Sequence, residues 1–202
     1  MNVFKRFIFV LIICMGSIGN VAAKQTEPYT YVIVHGATSG GWHWDLVDNV
    51  LTTDGHKVYR PTLTGLGERA HLASPDINLS THIEDIVNVI LFERLHKVIL
   101  VGHSYGGSVI TGVMNRLPER IQHAFFLDAT VPDHGMSFID AFGPIPFPVV
   151  GGLVHFPWVD LNSPYPRGIP QSLKTFSEPV SFDDPKAMAI PATYIAFVSP
   201  NE

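Results

Sequence analysis

The sequence predicts an α/β fold: a mostly parallel sheet with helices on both faces and a proline-rich lid. Three observations predict it. Segments that are apolar throughout, as strands covered on both sides must be, alternate with segments whose apolar residues recur at helical spacing. One such strand, Val98 to Val101, runs through Gly102-His-Ser-Tyr-Gly106 directly into a helix. Finally, residues 131–191 hold eleven of the 16 prolines among scattered aromatics. That composition suits neither a strand nor a long helix, and reads as an insertion covering a pocket.

Residues 1–23 precede the fold. Lys5 and Arg6 give a basic start, Phe7 to Ile18 an apolar stretch, and Val21-Ala-Ala23 a small-residue cleavage site. This pattern is that of a secretory signal peptide, so residues 24–202 are expected to form a single domain, secreted or periplasmic. The apolar run falls short of the ~20 residues needed to span a bilayer, so no membrane association is expected after cleavage. Bulky Ile13 before Cys14 argues against lipid attachment, and cleavage removes this only cysteine, leaving no disulfide. A formal charge of −5 without any basic run argues against a nucleic-acid partner. Nothing in the sequence specifies an oligomeric state.

In chain order, Tyr29 to Val34 reads as a buried strand feeding the glycine-rich loop His35-Gly-Ala-Thr-Ser-Gly-Gly41. Trp44, Val47, Val50 and Leu51 mark one face of a helix ending at Gly55. Lys57 to Arg60 is a short strand halted by Pro61, and a long loop follows to Leu79. Thr81 and Glu84 form a capping box for a helix whose stripe is Ile83, Ile86, Val87, Ile90 and Leu91. After the Ser104 turn, Val109, Ile110, Val113, Met114 and Leu117 continue at helical spacing to Pro118. His123 to Leu127 and Thr193 to Val198 are the last two buried strands. In an open parallel sheet the ligand lies at the C-terminal strand ends, where the His35 loop, Ser104 and Asp128 all fall.

Gly-x-Ser-x-Gly between strand and helix is the setting of a nucleophilic serine held in a strained turn. Gly-Ser-Gly turns also occur in ordinary strand–helix connections; the matched flanks favour the catalytic reading here. A serine hydroxyl needs a base and donors for the oxyanion. The backbone N–H of Tyr105 is one donor, and the loop after the neighbouring strand supplies the other, at Ala37. His35, Gly36, His103 and Trp158 are expected to line the substrate pocket, although His35 also suits a packed, strand-ending role. The acid is expected at Asp128, with Asp133 and Glu202 as alternatives. No histidine follows His155, and His103 sits beside the nucleophile on a corner that directs its side chain elsewhere, so no general base is assigned. No histidine spacing suggests a metal.

Val32-Ile-Val-His-Gly-Ala37, Gly40-Gly-Trp-His-Trp44, Gly55-His-Lys-Val58, Pro61-Thr-Leu-Thr-Gly-Leu-Gly-Glu-Arg69 and the Gly102–Gly107 turn, in this order, resemble the α/β-hydrolase superfamily. The nearest branch is the bacterial carboxylesterases akin to plant methyl-salicylate esterases and hydroxynitrile lyases. The resemblance covers most of Tyr29 to Val198. It implies a cofactor-free serine hydrolase with Ser104 as nucleophile, Ala37 and Tyr105 as oxyanion donors, and a small-molecule ester as substrate. Plant members carry the acid after the strand matching Thr193–Val198, which maps to Glu202. Other members carry it one strand earlier, which maps to Asp128.

Relative to that pattern the chain lacks the last strand, the histidine loop and the closing helix. The expectations are exposed apolar sheet surface and a chain inactive as it stands. The lid aromatics point to a hydrophobic or aromatic ester. The alternatives are a hydroxynitrile lyase on the same scaffold and a non-catalytic, truncated binding protein.

Overall fold

A computed structural model describes residues 27–198. The expected signal peptide and Glu202 lie outside the described residues. Strands β1 (Thr30–Val34), β2 (Lys57–Tyr59), β3 (Val98–His103) and β4 (Ile121–Leu127) are joined by a fifth strand late in the chain, β8 (Ala192–Ile195). Together they form one sheet in the order β2-β1-β3-β4-β8, every pairing parallel. Apolar residues at every position of Val32–Val34 and Val98–Val101 leave no strand face for water, so the sheet folds only if both sides are covered.

Helices α2 (Leu79–Phe92) and α3 (Gly106–Arg116) cover one side. Ile83, Ile86 and Ile90 of α2 and Val109, Ile110 and Val113 of α3 close over Val32, Val34, Val98 and Leu100, all buried. Each such aliphatic side chain contributes about 1.5–3 kcal/mol, which makes this layer the main source of stability. Ile33, Ile99 and Val101 form a smaller cluster on the other side, with Trp44 and Leu51 packed against it. Tyr31 and Phe125 are only half-buried there, and Tyr194 and Phe197 are exposed.

Three local expectations are corrected. The helix start at 78–81 is capped by Asn78, not by Thr81. The Asn78 side chain accepts from the Thr81 N–H at 2.9 Å, and Glu84 instead pairs with Arg116 of α3 at 2.8 Å. Trp44 closes a 3-10 turn, and α1 (Asp45–Thr53) shows Val47 and Val50 to solvent because it lies over β2 at the sheet margin. The region expected to be irregular contains a small antiparallel sheet, β5 (Val149–Val150), β6 (Leu153–Val154) and β7 (Gln171–Ser172). It also carries short helices α4 (Phe138–Phe142), α5 (Lys174–Ser177) and α6 (Pro185–Met188). Two-residue strands leave no periodic signature, but Val154, Phe156, Ile169 and Phe176 seal this layer onto the core.

Candidate active site

Strand β3 hands over to α3 through Ser104, whose φ of 51° lies in the left-handed region. For a residue with a Cβ that costs about 1–3 kcal/mol, so the surroundings must impose it. A Cβ on Gly102 would come within 2.8 Å of the Gly106 carbonyl oxygen, and one on Gly107 within 2.1 Å of the Thr130 carbonyl. Only glycines let β3, α3 and the chain after β4 approach this closely. The Ser104 N–H donates to the Leu127 carbonyl at 3.2 Å. Its own carbonyl accepts from the N–H groups of Gly107 and Thr130, each at 3.0 Å, and from the Thr130 hydroxyl at 3.3 Å.

Those three bonds fix more than a carbonyl. The Ser104 C=O and Tyr105 N–H share one trans peptide unit and point in opposite directions. Anchoring the oxygen toward Thr130 turns the Tyr105 N–H the other way, and among the described residues it has no partner. The Tyr105 ring is buried against Phe176, and its hydroxyl meets His82 Nδ1 at 2.9 Å. His82 Nε2 lies 3.0 Å from the Thr64 carbonyl, which can only accept, so Nε2 carries the proton and Nδ1 accepts from Tyr105. Burial pushes the His82 imidazole down to about 4, consistent with this neutral form.

A second peptide unit is arranged in the same way. His35 Nε2 accepts from the Leu63 N–H at 3.1 Å, which places the proton on Nδ1, 2.8 Å from the Gly36 carbonyl. Holding Gly36 C=O toward the ring turns the Ala37 N–H away from it, and that N–H too is unpartnered among the described residues. His35 is therefore not a wall of the substrate pocket, as expected from sequence. It is fully buried behind the loop, and burial lowers its imidazole to about 4. A Cβ built on Gly36 would lie 3.1 Å from Ser104 Cβ, which shows how closely this loop abuts the serine.

Ser104 sits where two clefts meet. One, of about 360 Å³, is lined by Gly36, Ala37, His43, His103 and Trp158. The other, of about 270 Å³, is walled by Phe138, Phe142, Phe147, Phe156 and Phe176, with Trp158 shared between the two. Gly36, His103 and Trp158 thus stand in the pocket. His103 lines the first cleft without a hydrogen bond to the Ser104 hydroxyl; its ring is stacked on Phe197 with centres 6.0 Å apart, and desolvation lowers its basicity. Asp128, at the end of β4, has a φ of 43° and an exposed carboxylate. Asp133 is exposed at the start of the lid. Among the described residues no histidine is hydrogen-bonded to the Ser104 hydroxyl or to either aspartate.

Two sets of residues here escaped the sequence reading. The loop after β2 is tied to α2 by Asp85, which accepts from the Thr64 N–H (2.6 Å), the Thr64 hydroxyl (2.7 Å) and Arg69 (2.9 Å). This holds the Leu63 and Thr64 groups that fix the two buried histidines. Gln171, buried in β7, accepts from the Thr38 N–H at 2.9 Å. Polar residues at mid-helix and inside a proline-rich stretch gave no signal of this kind.

A parallel sheet that delivers a strained serine beside two outward-turned amides defines an α/β hydrolase. The chain belongs to the alpha/beta hydrolase family, whose pattern it matches over residues 31–200. It is 50% identical over 109 residues to a carbendazim hydrolyzing esterase of Nocardioides sp. (strain SG-4G), covering 54% of this chain and 45% of that one. It is 36% identical over 126 residues to methylesterase 1 of Arabidopsis thaliana, covering 60% and 48%. The chain thus spans about half the length of the curated relatives it matches. Among solved structures it is similar to an extracellular alpha/beta-hydrolase from a Paenibacillus species, described as structurally and functionally homologous to tobacco Salicylic Acid Binding Protein 2. The TM-score is 0.70 at 25% identity, over 84% of this chain and 78% of that one.

Proposed function

We propose that the protein is a serine hydrolase that cleaves a carboxylic ester of a small hydrophobic or aromatic substrate through an acyl-enzyme on Ser104. In this reading the Ser104 hydroxyl attacks the ester carbonyl. The negative charge that develops on the carbonyl oxygen is received by the Ala37 and Tyr105 N–H groups. The ester C–O bond then breaks and the serine proton leaves with the alkoxide as alcohol. Water adds to the acyl-enzyme, the acyl–Oγ bond breaks to free the acid, and one water proton returns to Ser104; no base for these transfers is assigned among the described residues. The observation that carries it is the pair of peptide units just described. Their carbonyls are anchored by partners outside the two clefts, which leaves both amides turned the opposite way and, in this reading, ready to receive the charge without reorganising. The phenylalanine-walled cleft suits the apolar part of the ester, and the more polar cleft the group that leaves. Asp128 is assigned as the acid of the triad, because the end of β4 sets it at the same sheet edge as Ser104. The names of the relatives, an esterase and a methylesterase, agree with ester chemistry. The residues 1–23 favour action outside the cytoplasm.

The test is covalent labelling of the full-length protein with a fluorophosphonate, followed by peptide mapping and turnover of aryl and methyl esters. A single adduct on Ser104, lost in Ser104→Ala, is expected. Ester turnover that survives Ser104→Ala would overturn the assignment.

A further inference from the structure

The lid does more than cover the pocket: it grips one residue of the loop that carries Ala37. Thr38 follows Ala37 directly, adopts a φ of 65°, and is bonded to the lid through every polar group it has. Its N–H donates to Gln171 Oε1 at 2.9 Å, its carbonyl accepts from the Ile169 N–H at 2.8 Å, and its hydroxyl accepts from Trp158 Nε1 at 3.2 Å. A β-branched residue in the left-handed region is strained, so its conformation is held from outside. Gln171 itself cannot turn. Its Nε2 donates to the Thr175 hydroxyl at 2.8 Å, that hydroxyl donates to the Ser172 carbonyl, and β7 pairs with β6 in the register Val154 to Gln171. Ser172 and Lys174 then bind Pro75 and Asp76, fastening this corner of the lid to the scaffold.

We propose that Gln171 is a positioning residue that ties the docked lid to the oxyanion-binding loop. The peptide units on either side of Ala37 are then held from opposite directions, one by His35 through the Gly36 carbonyl and one by Gln171 through the Thr38 N–H. Ala37 N–H keeps its aim only while both hold, so the oxyanion site is complete only with the lid in place. The proposal rests on the hydrolase reading above. It gives a reason for the small lid sheet, which serves to fix one amide side chain.

Gln171→Met keeps the shape of the side chain and removes both hydrogen bonds. In the full-length protein, kcat for an aryl ester is expected to fall about 10- to 100-fold with KM within about twofold, the size of loss that a displaced catalytic group produces. An aryl trifluoromethyl ketone, which forms an oxyanion adduct on serine, should bind more weakly by the same factor. An isosteric amide, which forms none, should bind as it does to the wild type. Gln171→Glu retains an oxygen toward Thr38 and should recover part of the loss. If Gln171→Met does not fold, Thr175→Val, which frees the Gln171 amide without removing it, should show the same split at smaller amplitude. Ketone and amide affinities that fall together, or an unchanged kcat, would overturn the proposal. A wild type whose Ser104 takes no fluorophosphonate would instead overturn the hydrolase reading on which it depends.

Discussion

The two peptide units beside Ser104 are secured in different ways. The Ser104–Tyr105 unit is anchored by two backbone N–H groups and the Thr130 hydroxyl, which converge on the Ser104 carbonyl, and the Tyr105 ring is buried against Phe176. The Gly36–Ala37 unit hangs on a single imidazole N–H and, through Thr38, on the lid. One is redundant and not titratable. The other depends on one protonation state and on the segment between β4 and β8. The difference teaches where such a site is vulnerable. Its chemistry sits on the elbow, but its adjustable part is the loop.

The largest effect should come from the redundant side, where no adjustment is available. Gly107→Ala would set a Cβ 2.1 Å from the Thr130 carbonyl oxygen, and that atom is backbone held against Ser104. Either α3 or the chain after β4 must move, so the expected outcome is no cooperative thermal transition and no labelling of Ser104. A folded, labelled Gly107→Ala protein would show that the elbow is less constrained than the loop and would reverse the comparison.

Acid should come next and act on the histidines. His35 and His82 have folded values of about 4 against an ordinary 6.5, so as the pH falls the unfolded chain takes up protons first. Their contribution is intact above about 6.5 and is lost progressively between there and about 4, by roughly 3 kcal/mol per histidine. Besides burial, which outweighs them, the charges acting on His35 are His82, Glu68 and His43, and those acting on His82 are Asp85 and Arg69. Urea midpoints measured from pH 8 to pH 4 should fall steeply below 6.5. A flat profile would mean that the two rings are not buried neutral.

His35→Phe isolates the loop. It strands the Leu63 N–H and the Gly36 carbonyl, at about 1–3 kcal/mol for each stranded group. With the Gly36 carbonyl free to turn, Ser104 labelling should slow about 10- to 100-fold while the protein still folds at pH 8. Stability loss without any change in labelling rate would confine His35 to packing.

Much of this was legible in the sequence, for identifiable reasons. The elbow could be read because its glycines, its apolar strand and its helical stripe are contiguous. The α2 and α3 stripes could be read because burial repeats at helical spacing. The role of His35 was misjudged because a histidine beside a catalytic loop looks the same in sequence whether it faces the pocket or backs it. Only the bond from Leu63, twenty-eight positions away, separates the two. Asn78 was passed over as a cap because Thr81 and Glu84 satisfy the capping-box pattern equally well. Gln171 lay beyond reach altogether, since its partner Thr38 is 133 positions distant and the intervening lid carries no periodicity.

The smallest effect is expected at the elbow itself, from Thr130→Val. The substitution keeps the shape of the side chain and removes one of the three donors to the Ser104 carbonyl, the longest at 3.3 Å. It also deprives the Ser108 hydroxyl of its 2.7 Å partner, while the Ser108 N–H keeps its bond to the Tyr105 carbonyl. Stability should drop by about 1 kcal/mol. The N–H groups of Gly107 and Thr130 remain, both at 3.0 Å, and two fixed donors suffice to define the plane of the peptide. Ser104 labelling should therefore stay within about twofold of wild type, below the roughly 2- to 13-fold change that a single hydrogen bond's 0.5–1.5 kcal/mol would produce. Set beside His35→Phe, this is the sharpest version of the comparison: one hydrogen bond to a carbonyl is removed in each, yet only the unit whose carbonyl has no second donor should lose its aim. Equal slowing in the two variants would show that redundancy confers nothing at the elbow.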